Sequence, residues 1–180
     1  MKRQYFALVF LGLGLLTACS SAKIISDIDQ QTDFTQYKTY TWSAKEDPIN
    51  NDFPQFDNSL NRERWRNAID AAMQNQGYLL KEGEADLEVD FHLQFEHHAV
   101  PYHRDKDEME EAYDRFRPTP VYQYDRGTAI IHLVDLKENH VIWQGVATRI
   151  LDVELLQDAE ENIQMVVEKI FKKLSVQIAK

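Results

Sequence analysis

The sequence predicts an α+β fold, a mainly antiparallel sheet of four to six strands with two helices packed on one face. Three patterns predict it. Leu87, Val89, Phe91, Leu93 and Phe95 alternate with Asp86, Glu88, Asp90, His92, Gln94 and Glu96, and a period of two gives a strand one buried and one wet face. Residues 126–136 and 141–151 are apolar-rich runs joined by Lys137-Glu138-Asn139-His140, the arrangement of a hairpin. Residues 58–76 and 158–179 instead repeat apolar side chains at helical spacing.

The remaining elements follow in chain order. Ile24, Ile25 and Ile28 alternate weakly over residues 23–29, as in an edge strand. Tyr37-Lys38-Thr39-Tyr40-Thr41-Trp42 is rich in Thr and aromatics and reads as a strand. Residues 46–56 hold Pro48, Pro54, two Asn and two Asp, which makes them a loop. Asn58 or Ser59 caps the first helix, whose stripe is Trp65, Ala68, Ile69, Ala72 and Met73, and Gly77 stops it. Arg62, Arg64 and Arg66 lie mostly off that stripe, on a solvated face. Tyr78 to Leu80 is a short strand. Residues 97–124 break the pattern with Pro101, Pro118, Pro120, aromatics and an acidic run, and read as a long insertion. Both faces of the following hairpin are partly apolar, which places it centrally in the sheet. Asp158 caps the last helix, Glu160 and Glu161 suit its first turn, and Ile163, Val166, Val167, Ile170, Phe171, Leu174 and Ile178 form its apolar stripe. Trp42, Trp65 and Trp143 fall within these patterns and read as core.

The 180 residues are 43% hydrophobic and 11% aromatic, enough for a packed core, so the chain is not wholly disordered. One cysteine excludes a disulfide framework and a cysteine-rich zinc module. A formal charge of −10 argues against nucleic acid as a partner, because phosphate demands Lys and Arg. No G-x-S-x-G elbow, P-loop or G-x-G-x-x-G occurs, which points away from an elbow nucleophile and a nucleotide cofactor. The reading is a non-enzymatic protein, with a carboxylate-pair envelope hydrolase as the minor alternative.

The N-terminus reads as an address. Met1-Lys2-Arg3 is basic, residues 5–16 are uncharged and mostly apolar, and Leu16-Thr17-Ala18-Cys19 follows. Twelve such residues suit a secretory signal and fall short of a bilayer span. The tetrapeptide resembles the bacterial lipobox, which implies cleavage after residue 18 and a diacylglycerol thioether and N-acyl chain on Cys19. No other cofactor is implied. Residues 1–18 are then the signal, 19–22 the lipidated cysteine and tether, and 23–180 one domain carrying the insertion at 97–124. Cleavage removes Lys2 and Arg3 but no acid, taking the charge from −10 to −12, so the lipid must do the anchoring. Ser20 stands where an inner-membrane retention signal would place Asp. By resemblance to Gram-negative sorting, the expected location is the outer membrane, facing the periplasm. If order begins near Lys23, Ser20, Ser21 and Ala22 are the whole tether and span about 10 Å; if it begins only at Phe34, the reach grows several-fold.

Two sets of side chains are candidate sites. Aromatics and Arg together favour interface hot spots, and the irregular insertion carries Tyr102, Tyr113, Phe116, Arg117 and Tyr122. It is the expected contact for an unidentified envelope protein. Four of six histidines lie between residues 92 and 103. Asp90, His92, Glu96 and His98 share strand parity, and imidazole with carboxylate suits Zn, Ni or Cu. The alternative function is therefore a metal- or small-ligand-binding lipoprotein using the region from His92 to His103, with His92, Glu96 and His98 as the candidate metal ligands.

A further set of motifs runs along the mature chain: Asp27-Ile28-Asp29, Asp33-Phe34, Tyr37-Lys38-Thr39-Tyr40-Thr41-Trp42, Ala68-Ile69, Gly77-Tyr78, Ala85-Asp86-Leu87 with Val89, Gly127-Thr128-Ala129-Ile130, Leu133-Val134-Asp135 and Val141-Ile142-Trp143-Gln144-Gly145-Val146-Ala147. By these residues the chain resembles the bacterial lipoproteins of the domain-of-unknown-function 4136 family. The resemblance implies an α+β domain with helices against an antiparallel sheet, and it implies no catalytic residues. His132 stands where it leads one to expect a carboxylate, and residues 96–125 are longer and more acidic than it suggests.

Overall fold

A computed structural model describes residues 22–101 and 121–178. In chain order they form β1 (Lys23–Ile28), a 3₁₀ turn (Phe34–Gln36), β2 (Thr39–Trp42), α1 (Ser59–Asn75), β3 (Leu79–Leu80), β4 (Leu87–Pro101), β5 (Val121–Asp135), β6 (His140–Leu151), a one-turn helix α2 (Glu154–Gln157) and α3 (Ala159–Ile178). The six strands make one sheet in the order β1-β6-β5-β4-β2-β3. β1, β6, β5 and β4 pair antiparallel. β2 pairs parallel with both β4 and β3. Parallel neighbours need a long crossover, and α1 supplies it between β2 and β3. The expected edge position of β1 and central position of the β5–β6 hairpin both hold.

Local chemistry sets the element ends. Asn58 caps α1, its side chain accepting the Asn61 N–H at 2.9 Å. At the other end Gly77 takes a φ of +92°, the left-handed geometry that glycine adopts without a Cβ penalty. Asp158 begins α3 through its backbone carbonyl, which accepts the Asn162 N–H at 2.9 Å.

Both long helices cover the same sheet face. Tyr40 from β2, Leu87 and Val89 from β4, Ile131 and Leu133 from β5 and Trp143 from β6 meet Ile69 and Met73 of α1 and Ile170 and Leu174 of α3 in one buried core. Burying each aliphatic side chain of this kind contributes about 1.5–3 kcal/mol. Trp143 is core as expected, while Trp42 and Trp65 pack partly buried against its edge. The register shifts between Leu133 and Val134, and the extra residue Ile142 is buried. Ile178 departs from the expected stripe and is 37% exposed at the helix end.

Carboxylates lock the strands of the aromatic segment together. Tyr37 donates its hydroxyl to Asp135 at 2.6 Å. Tyr40 Oη and Trp42 Nε1 both donate to Asp70 of α1, at 2.6 and 2.9 Å. The backbone N–H groups of Lys38 and Thr39 and the Thr39 hydroxyl all donate to Asp86 Oδ2 at 2.8 Å. The residues behind the family resemblance thus build the scaffold.

The Lys38 and Thr39 N–H groups hold the Asp86 carboxyl below its ordinary value of 3.8. A carboxyl lowered on folding contributes stability above the unfolded pKa, and that stability is lost as pH falls through the folded pKa. Asp86→Asn is expected to flatten the fall of urea-unfolding stability below about pH 4. An unchanged acid slope would contradict this role.

Two sequence expectations need correction. Residues 97–101 and 121–124, read as part of an irregular insertion, are strand, paired from His97↔Asp125 to Pro101↔Val121. Polar and aromatic side chains on both faces hide the period of two there, and Pro101 is tolerated at a strand end. The excursion narrows to residues 102–120, which lie outside the described residues. Arg62, expected on a solvated face, is a clamp. Its guanidinium grips both oxygens of Asp57, Nε–Oδ1 at 2.6 Å and Nη2–Oδ2 at 2.9 Å. It also donates to the carbonyls of Asp47 and Pro48. Asp57 is 1% exposed and takes a further bond from the Asn50 N–H at 2.7 Å. Residues 47–57 are thereby tied to the start of α1, and Phe53 of this loop stacks on Phe95 and His97 with ring centroids 5.2 and 4.5 Å away.

Candidate functional site

The sheet face opposite the helices carries a row of titratable groups. Strand parity sends Asp90, His92, Glu96 and His98 of β4 to it, beside Tyr124, Arg126 and His132 of β5 and Gln144 of β6. Antiparallel pairing sets Asp90 directly opposite His132 and His132 opposite Gln144. His92 lies one side-chain step along β4, its ring 5.6 Å from that of His132.

His92 is held from two sides. Nδ1 sits 2.8 Å from Asp47 Oδ2 and Nε2 sits 2.8 Å from Asp90 Oδ2. Burial pushes its pKa down, but the hydrogen bonds and charges of Asp47 and Asp90 outweigh this and raise it above 6.5. His132 Nδ1 lies 3.8 Å from the same Asp90 oxygen, and its Nε2 lies 3.0 Å from Gln144 Oε1. Asp90, His92 and His132 offer donor atoms within 4.8 Å of one another.

Farther along β4 lies a second cluster. Glu96 Oε2 meets Arg126 Nη2 at 2.5 Å and His98 Nε2 at 2.9 Å. The Arg126 hydrogen bond holds the Glu96 carboxyl below its usual range, with His98 adding to it. His98 stacks on Tyr124 at 5.1 Å. Beyond it β6 has ended, its last pairing being Leu151 with Asp125. Residues 98–101 and 121–124 therefore run on as a two-stranded ribbon, and Val100, Val121 and Tyr122 are exposed on it, Tyr122 at 58%.

The structure does not bring the three candidate metal ligands together. His92, Glu96 and His98 share a face as expected, but four and six residues along a strand are roughly 13 and 20 Å, far beyond one ion's reach. His92 finds its partners across the strand and in the loop instead. His132 was recoverable from the register of the β4–β5 pairing. Asp47 had no signal in the sequence, because loop placement follows from the Arg62 clamp. Of the candidate contact residues, Tyr122 stands exposed on the ribbon. Tyr102, Tyr113, Phe116 and Arg117 lie outside the described residues, as does Cys19.

A cavity of about 110 Å³ opens between the sheet and the helices near the ribbon. Trp65, Leu93, Phe95, Leu151 and Ile163 line it, and among its described lining residues there is no carboxylate or histidine. Among the described residues, no helix is long and apolar enough to cross a membrane.

The geometry defines an open-sheet α+β domain with helices on one side and a polar, histidine-bearing face on the other. The chain belongs to the DUF4136 family, a domain of unknown function, whose pattern it matches over residues 24–174. No curated protein matches it. A DUF4136 family protein from Bacteroides thetaiotaomicron is similar in fold, with 15% identity, a TM-score of 0.56, and coverage of 88% of this chain and 97% of the other. A PDZ domain protein from Parabacteroides distasonis gives 12% identity and a TM-score of 0.50 over 84% of this chain, which spans only 36% of that protein's length. A minor lipoprotein from Acinetobacter baumannii gives 10% identity and a TM-score of 0.39, covering 79% of this chain and 93% of the other.

Proposed function

We propose that this protein is a lipid-anchored, non-enzymatic interaction module of the cell envelope. Acyl chains on Cys19 hold it in the outer membrane with its domain in the periplasm, and it binds another envelope protein. Leu16-Thr17-Ala18-Cys19 supports the anchor, standing after a basic and an apolar segment and just ahead of β1. The observation that carries the interaction reading is the β4–β5 ribbon. It runs past the sheet body and exposes Val100, Val121 and Tyr122 rather than burying them. Tyrosine is among the residues that dominate protein interfaces.

Metabolic labelling with palmitate and in-cell photo-crosslinking test the two halves together. Wild type is expected to incorporate the label, and Cys19→Ser, which loses both the acyl acceptor and the cleavage site, to incorporate none. A photo-crosslinker at Tyr122 in the wild-type background is expected to give one discrete adduct, identified by mass spectrometry. Absence of label from wild type, or label retained in Cys19→Ser, would remove the anchor. Absence of an adduct at normal protein level would remove the ribbon as a contact.

A further inference from the structure

We propose that Asp90, His92 and His132 bind a single first-row divalent cation, Zn²⁺ by preference, on the sheet face opposite the helices, with Asp47 and Gln144 orienting the two imidazoles. This inference stands independently of the anchor and of the ribbon contact.

The geometry comes first. Three donors converge from two paired strands, so the sheet fixes their spacing without help from a mobile backbone. Asp90 Oδ2 lies 2.8 Å from His92 Nε2 and 3.8 Å from His132 Nδ1. Ligand atoms around a tetrahedral ion with bonds of about 2.0–2.1 Å sit roughly 3.3 Å apart, and the two spans bracket that value. All three side chains are between 21% and 29% exposed, so the site is shielded yet open to an ion and to a water in the fourth position.

The protons make the stronger argument. A neutral imidazole carries one N–H. His92 Nδ1 faces the Asp47 carboxylate and His132 Nε2 faces the Gln144 amide oxygen, and both of these partners accept. In the neutral tautomers that carry their protons on those nitrogens, His92 Nε2 and His132 Nδ1 turn their lone pairs on one oxygen of the Asp90 carboxylate. Three electron pairs then meet with no proton among them. A cation placed there converts that repulsion into coordination. The outer partners are the type that fix tautomer and ring orientation in metal sites. Arg62 steadies Asp47 in turn by donating to its backbone carbonyl. One carboxylate and two imidazoles supply the charge and the intermediate softness that suit Zn²⁺, Ni²⁺ or Cu²⁺.

The test is calorimetric titration of ZnCl₂ into the full, untagged chain in detergent, after chelator treatment. One equivalent is expected to bind at pH 7.5. His132→Gln and Asp90→Asn are each expected to weaken binding at least 100-fold, and Asp47→Asn roughly 10- to 100-fold. His98→Gln, on the same face but in the other cluster, is expected to leave binding unchanged. Circular dichroism reports whether each variant is folded. Co²⁺ absorption on wild type and His98→Gln gives a second readout that needs no ligand variant, with intense visible bands expected from a four-coordinate site. No binding to the folded wild type, absence of those bands, or one-equivalent binding that survives His132→Gln would overturn the proposal.

Discussion

Gly145→Ala is expected to cost the domain about 3 kcal/mol, at the upper end of what overpacking a core does. Gly145 sits on the helix-covered face of β6, opposite Ile131. A Cβ there would press on Ile170 Cγ2 of α3 and would lie 2.5 Å from the Trp143 ring. Trp143 and Ile170 are fully buried, so neither can swing into solvent. The missing side chain is what lets the helix and the indole close on the strand. Equilibrium urea unfolding measures the loss, and a penalty below about 1 kcal/mol would show that the core yields there. Adding Ile170→Ala should recover part of the loss, because contacting residues do not behave additively.

Arg62→Ala has a comparable expected effect, about 3–5 kcal/mol, because breaking a buried pair from one side strands the other charge. Asp57 would keep its burial and lose its bidentate partner. Its hydrogen bonds with Arg62 and the Asn50 N–H outweigh burial and hold its carboxyl below 3.8. Arg62→Lys should rescue little, since an ammonium cannot reproduce the two-pronged grip. Arg66→Ala is the contrast. Its bond to Glu46 is exposed and its guanidinium rests over Trp42, 4.4 Å from the ring centroid, so its loss should cost no more than about 1 kcal/mol. Equal effects from the two variants would refute the clamp. Because Arg62 also fixes the loop that carries Asp47, its removal should loosen His92 from one of its two carboxylates.

The limits of the sequence reading follow from what each signal reports. Alternation along residues 87–95 exposed β4 because one face had to be apolar, and helical spacing exposed α1 and α3 for the same reason. Where neither face is apolar, as from His97 to Pro101, hydrogen bonding alone makes the strand and periodicity is silent. The strands and helix of the β2–α1–β3 crossover were read, but the parallel pairing of β2 with β3 and β4 was hidden, because two exposed leucines carry no pattern that assigns a neighbour. Parity correctly put His92, Glu96 and His98 on one face. It says nothing of distance along the strand, and the relevant neighbours of His92 came from residues 40 positions away on β5 and 45 positions away in the loop. Arg62 looked solvated because its partner Asp57 stands off the helix, ahead of the cap.

The entry point of β1 has a consequence for how the domain stands on a bilayer. Lys23 pairs with Thr148, and Thr148 pairs with Thr128. β1 and β5 run in the same direction, so the tether and the ribbon leave the same end of the sheet. From the level of Thr128 the ribbon continues seven residues to Val121, roughly 23 Å. The spacer from Cys19 allows about 10 Å of clearance. On the proposed anchor the hairpin overhangs its own leash, and an upright sheet would drive the ribbon into the headgroups. On that anchor the domain would have to recline, with Tyr122 in the membrane-proximal layer. A partner met there would then approach along the lipid surface rather than from the open periplasm.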